Sequence, residues 1–86
     1  MGRYRIFIKP SAVREIENIA ENKRRQQIVA KIEALGDDPR PPGCEKLTGR
    51  EQYRGRQGAY RIVYAIEDDR LVVYVVKVGH PSSIYG

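Results

Sequence analysis

Three arginines crowd one short stretch of this chain, Tyr53 to Tyr64, which reads YRGRQGAYRIVY. Arg54 and Arg56 precede a Gln57-Gly58 turn and Arg61 follows it. Side chains two apart share one face of a strand, so Tyr60, Ile62, Tyr64 and Ile66 form one row and Arg61 points the other way. Arg54 and Arg56 share a face for the same reason. If the turn pairs the two segments as a hairpin, one face buries an aromatic and aliphatic row while the other gathers three guanidinium groups, a surface suited to phosphate. Arginines on the solvent face of an antiparallel sheet also commonly do no more than keep an edge soluble. Spacing alone does not choose between these.

Whatever positions the arginines must be small. At 86 residues the chain is read as one domain, residues 1–86, with a single modest core of Val, Ile, Leu and Tyr. A formal charge of +5 and sixteen basic residues, most of them arginine, favour an RNA, DNA or acidic protein partner, because the planar guanidinium suits bidentate contact with phosphate or carboxylate. Cys44 has no second cysteine to bridge and no His or Cys at metal-ligand spacing, so it is read as a small loop residue. No apolar run is long enough for a signal peptide or a membrane span. A cytoplasmic location is the expectation.

Taken in order, Arg3 to Lys9 alternates with Tyr4, Ile6 and Ile8 on one face and Arg5, Phe7 and Lys9 on the other, a half-buried strand. Pro10 is expected to end it and Ser11 to cap the following helix. That helix runs from Ala12 to about Glu21 on a stripe of Val13, Ile16, Ile19 and Ala20. Asn22 is read as the break before a second helix with the stripe Ile28, Val29, Ile32 and Leu35, closed by Gly36 in a left-handed cap. Lys23, Arg24 and Arg25 stand at the start of this second helix, where the macrodipole disfavours positive charge. Asp37 to Gly43, DDPRPPG, is an irregular connector. Leu47 anchors the approach to the arginine stretch, Asp68 and Asp69 make a turn, and Leu71 to Val78 form an apolar strand expected to be central and covered on both faces. The resulting fold is α+β, in the order β-α-α-β-β-β, with a four-stranded antiparallel-rich sheet packed against an N-terminal helical hairpin.

This order, together with KLTG at Lys46, YRGRQGAYRIVYAI from Tyr53 and VVKVGHPSSIY from Val75, resembles the RelE toxins of the RelE/ParE superfamily of toxin–antitoxin pairs over nearly the whole chain. The resemblance implies a toxin that is a ribosome-dependent mRNA interferase, a metal-independent endoribonuclease without cofactor. In that family the ribose 2′-OH attacks the adjacent phosphate in the A-site codon, basic side chains hold that phosphate, and a tyrosine near the C-terminus positions the RNA. Carried over, Arg54 and Arg56 match the basic residues after the motif tyrosine, Arg61 matches the YR of the second half, and Tyr85 matches the terminal tyrosine. Lys46 and Arg50 add to the phosphate-binding set.

The chemistry of these residues agrees with that assignment. Negative charge on the phosphoryl oxygens grows as a fifth oxygen approaches, so preorganised cations aimed at it favour the transition state. Arg61 is assigned that task, with Arg56 beside it. Relatives often carry a lysine at one of the two positions after the motif tyrosine; here both are arginine, whose pKa above about 12 makes it a poor base. Pro81, Ser82 and Ser83 stand where many relatives carry basic residues, so the arginine near the leaving group is missing. His80 is then the natural general acid or base, since an imidazole titrates near neutrality. Tyr85 serves either as a base-stacking residue or as a core closure. Tyr53, Tyr60, Tyr64 and Tyr74 read as core or sheet-face residues and not as RNA platforms.

Two other readings share the fold: a ParE-like inhibitor of DNA gyrase, which works by binding, and a catalytically inactive co-repressor that binds an antitoxin. All three imply a cognate antitoxin with an acidic, partly disordered tail. Operator DNA is then reached only through that antitoxin, and the interferase adds the ribosome and mRNA as partners.

Overall fold

The computed structural model of the chain describes residues 3–49 and 51–80. The elements are β1 (Arg5–Ile8), α1 (Pro10–Glu17), α2 (Asn22–Ala34), β2 (Glu45–Lys46), β3 (Gln52–Gln57), β4 (Tyr60–Glu67) and β5 (Val72–Gly79). They build a five-stranded sheet in the order β1-β5-β4-β3-β2. β1 and β5 are parallel and the other pairs antiparallel. The expected four-stranded sheet is therefore corrected to five by the two-residue β2, whose Glu45 and Lys46 pair with Arg54 and Tyr53. Two residues carry no readable periodicity, so only their partners reveal them as a strand.

The alternation read from the sequence holds. Ile62, Tyr64, Val73, Val75 and Val78 join Ala12, Ile16, Ile19, Ile28, Ile32 and Leu35 in one buried cluster, with Tyr4, Ile6, Ile8, Tyr53, Tyr60 and Ile66 packed against it. Both helices thus cover the same face of the sheet, and burial of this apolar surface is the main force holding them there. A register shift between Val63 and Tyr64 of β4 sets Val63 opposite Lys77 and Tyr64 opposite Val75, leaving Val76 as the extra residue of β5. β5 is interior as expected but covered on one face only: Tyr74 stands in solvent.

Several local expectations are revised. Pro10 begins α1 instead of merely ending the strand, because a missing amide costs nothing in the first turn, and Lys9 is the N-cap. α1 stops at Glu17, and Asn22 opens α2. Val13 and Val29, assigned to the apolar stripes, are exposed. Gly36 does not adopt a left-handed cap; the glycines with positive φ are Gly43, Gly49 and Gly58. Gly36 is instead buried, and its carbonyl accepts the backbone N–H groups of Arg3 and Tyr4, tying the end of α2 to the start of β1.

The connector 37–44 is the region whose organisation the sequence conceals most. Arg40 donates Nη1 and Nη2 to the two carboxylate oxygens of Asp68 at 3.0 and 2.8 Å and Nε to the Tyr53 hydroxyl at 3.1 Å. Its guanidinium also lies 5.2 Å from the centre of the Tyr53 ring. Tyr4 donates to Asp68 Oδ1 at 2.7 Å. Tyr53 stacks on Tyr64, whose hydroxyl donates to the Pro39 carbonyl at 2.8 Å. These contacts fasten the proline-rich loop across the end of the sheet. The Arg40 and Tyr4 hydrogen bonds hold the Asp68 carboxyl down at about 2, while burial raises the Tyr64 hydroxyl above its ordinary value.

Candidate functional site

The sheet face turned away from the helices carries the arginines. In the β3–β4 hairpin Arg54 lies opposite Val63, and Arg56 lies opposite Arg61. Gly55 and Ile62 form the intervening pair on the core side. Directly opposed residues place their Cβ atoms about 5 Å apart, and like charges there repel. Among the described residues neither Arg56 nor Arg61 makes an ion pair or a side-chain hydrogen bond. Two guanidinium groups thus face each other across the hairpin with no anion among the described residues paired to either. Across β4, Arg61 faces Gly79 of β5, which adds no side chain.

Arg54 differs from its neighbours. It is largely covered and pairs with Glu45 of β2 at 3.1 Å, so its charge is partly compensated within the fold. Lys46 faces the other way, opposite Tyr53, and pairs loosely with Glu51 at 3.7 Å. The structure therefore does not bring Lys46 onto the face of Arg54, Arg56 and Arg61, because one step along a strand reverses a side chain. Arg50 and Tyr85 lie outside the described residues.

His80 ends the described part of β5's continuation. Its ring meets Tyr60 edge-on at 5.8 Å, and it borders clefts shared with Ile19, Ala20 and Arg24 near the turn between the helices. Strand alternation explains the placement: Gly79 sits on the arginine face, so the next side chain turns to the helix side. The His80 ring therefore lies on the opposite side of the sheet from Arg56 and Arg61. Of the basic cluster at the start of α2, the two arginines are engaged locally, Arg24 by Glu21 at 2.9 Å and Arg25 by the Ile19 carbonyl at 2.7 Å and Asn22 at 3.1 Å.

Glu15 is a residue that sequence reasoning passed over. β1 ends before it can cover the last residues of β5, and Glu15 of α1 fills that gap by accepting the Val78 backbone N–H at 2.9 Å and the Lys77 ammonium at 3.3 Å. A carboxylate that caps a strand edge leaves no sequence signal, since it depends on which strand lies next door. Among the described residues no group of three or more His, Cys, Asp or Glu side chains is placed to hold a metal ion, and no helix is long and apolar enough to cross a membrane.

The fold agrees with that of known proteins the chain resembles. Residues 6–85 match the family described as the ParE toxin of the type II toxin–antitoxin system parDE. The chain belongs to that family, within the RelE/ParE superfamily, and is a toxin of a type II toxin–antitoxin system. A curated Escherichia coli protein named as a RelE-like toxin is 26% identical over 87 residues, spanning 96% of this chain and 90% of its own length. Among solved structures, the isolated E. coli RelE toxin is 28% identical, superposes with a TM-score of 0.76 and covers 95% of this chain and 90% of its own. A chain of the archaeal RelE–RelB complex from Pyrococcus horikoshii shares the fold at a TM-score of 0.81 and 23% identity, over 91% of this chain and 94% of its own.

Proposed function

We propose that this toxin is a ribosome-dependent mRNA interferase, and the observation that supports it most is the opposed, uncompensated pair Arg56 and Arg61. A phosphodiester placed over that pair presents two non-bridging oxygens to two guanidinium forks. The 2′-oxygen attacks phosphorus, the bond to the 5′-oxygen of the next nucleotide breaks, and a 2′,3′-cyclic phosphate and a 5′-hydroxyl result. Arg61 and Arg56 stabilise the charge that accumulates on the phosphoryl oxygens, and Arg54 holds a flanking phosphate. His80 moves protons to or from the reacting oxygens. In that role its ring turns over the end of β5, past Gly79, from the helix side to the arginine face. Tyr85 positions a base.

A cognate antitoxin is the natural partner. The E. coli and archaeal relatives were solved with RelB antitoxins, and an acidic tail would neutralise the face described above.

The decisive experiment adds purified protein to a ribosome-programmed translation reaction and maps mRNA ends. Discrete cuts in the A-site codon are expected, absent without ribosomes, lost in Arg61→Ala and reduced in His80→Ala. The matching family is named for ParE and His80 rests on the helix side, and both observations favour a second reading, inhibition of DNA gyrase by binding. Loss of gyrase supercoiling activity with intact mRNA would establish that reading in place of the first.

A further inference from the structure

The arginine face is not uniformly basic. Phe7 of β1 and Tyr74 of β5 are partners in the parallel register and are the most exposed large hydrophobic residues among those described, at 49 and 42%. Both lie opposite the core row of Ile6, Ile8, Val73 and Val75 and so share the face of Arg54, Arg56 and Arg61. Beside Tyr74, β4 offers only Ala65 and β3 offers Gln52, which leaves low ground next to two rings. Between the rings and the arginines a cleft of about 520 Å³ is floored by Val63 and Val76 and bordered by Leu47, Gln52, Lys9 and the Lys77–Glu15 ion pair, so that Lys9 is its uncompensated cation among the described residues. Arg61 and Ala65 are four residues apart, so the guanidinium pair and the aromatic row are separated by roughly 13 Å along the strand.

An exposed aromatic pair costs solubility and contributes nothing to this core, and a protein surface meets that cost where a partner covers the patch. The cations around it select the partner. A single-stranded nucleic acid alternates phosphates with bare base faces, and sheets that bind it place aromatic rings beside basic side chains for that reason. We propose that Phe7 and Tyr74 form a stacking platform for bases of single-stranded RNA whose phosphate lies on Arg56 and Arg61, with the intervening cleft receiving a nucleotide between them. This rests on the RNA reading given above and revises the assignment of Tyr74 as a plain sheet-face residue. The platform is sequence-tolerant, since every base has a face to stack.

The test measures affinity of the full chain for a short unstructured RNA oligonucleotide and for an RNA hairpin, across a salt series. The variants are Phe7→Leu with Tyr74→Leu, and separately Tyr74→Phe. Both positions are exposed, so the leucine pair is expected to keep the fold, checked by thermal melting. The platform predicts about tenfold weaker binding of the oligonucleotide by the leucine pair, from the loss of stacking on two rings. The slope of affinity against salt stays unchanged, because stacking releases no counterions. Tyr74→Phe retains wild-type affinity, and hairpin binding moves little. Oligonucleotide affinity unchanged in the leucine pair, with wild-type binding otherwise normal, overturns the platform and leaves the RNA reading standing. No oligonucleotide binding by the wild type overturns the platform, whereas the RNA reading itself falls only if the ribosome-programmed reaction shows no cuts. Unchanged RNA affinity together with weakened antitoxin binding gives the rings to the protein partner and overturns the platform as well.

Discussion

Arg61 is the second residue of β4, and Arg40 grips Asp68 just beyond the strand's other end. The same side chain meets opposite circumstances at the two sites. Arg40 donates three hydrogen bonds, two to one carboxylate and one to a tyrosine, and lies over an aromatic ring. Its donors are engaged, so it has little left for a ligand, and its work is to hold the 37–44 loop. Arg61 has Arg56 opposite and no anion within the described chain. A fold that sets two like charges face to face gives up stability there, and the return on that loss is a pair of forks waiting for an anion. The lesson is that an arginine's saturation separates scaffold from site better than its exposure does.

The comparison breaks most visibly at Arg61. Arg61→Ala is expected to lower the mRNA cleavage rate by about 10² to 10³, the range seen when one transition-state donor is removed. Its melting temperature should stay level or rise slightly, because a repulsion is relieved. A large fall in stability instead would make Arg61 another scaffold residue. Arg61→Lys keeps the charge without the fork and should recover only part of the rate.

At the other end the signs reverse. Arg40→Ala should leave the cleavage chemistry intact while lowering the melting temperature by about 5 °C, a modest value because the pair is half-exposed and screened. Tyr64→Phe leaves the Pro39 carbonyl without its buried donor and should cost about 1 kcal/mol. Acid tests the same network. The Asp68 carboxyl titrates near 2 in the folded protein and near 4 when unfolded. Between those values the unfolded chain binds the extra proton, so the contribution is complete above about pH 4 and is lost as pH falls toward 2. Asp68→Asn should flatten that acid limb of the stability curve. An unaltered limb would mean that Asp68 gains nothing from Arg40 and Tyr4.

The contrast also measures what the sequence discloses. Arg54, Arg56 and Arg61 share a face because alternation is a property of any strand, and the hairpin that pairs them closes one residue later than the expected Gln57-Gly58 turn, at Gly58-Ala59 with Gly58 at positive φ. Core positions such as Ile62, Tyr64, Ile28 and Ile32 follow from the periods of strand and helix. Arg40 was hidden because its partners, Asp68 and Tyr53, are 28 and 13 residues away and become neighbours only after the sheet forms. Glu15 was hidden for the same reason. The side on which His80 stands was not legible either, because it depends on where β5 ends: Gly79 takes the arginine face and the next side chain turns to the helices. The expected two-sided burial of β5 fails because both helices cover the same face of the sheet, which leaves Tyr74 exposed on the other.

Arg54 lies between the two extremes and sharpens the comparison with the smallest effect. It shares the face of Arg56 and Arg61 but pairs with Glu45 on the edge strand β2. If compensation by a carboxylate is what lowers an arginine's value as a phosphate ligand, Glu45→Gln should tighten RNA binding by about two- to threefold at low salt, the order expected for one surface charge pair. The gain should vanish as salt screens the face, and the melting temperature should hardly move. Arg54→Ala in the same background should remove the gain, which assigns it to this guanidinium and not to the general charge of the protein. Weaker binding by Glu45→Gln would mean the reverse, that Glu45 aims Arg54 at its phosphate, and the saturation argument would then fail for the one arginine on this face that is already paired.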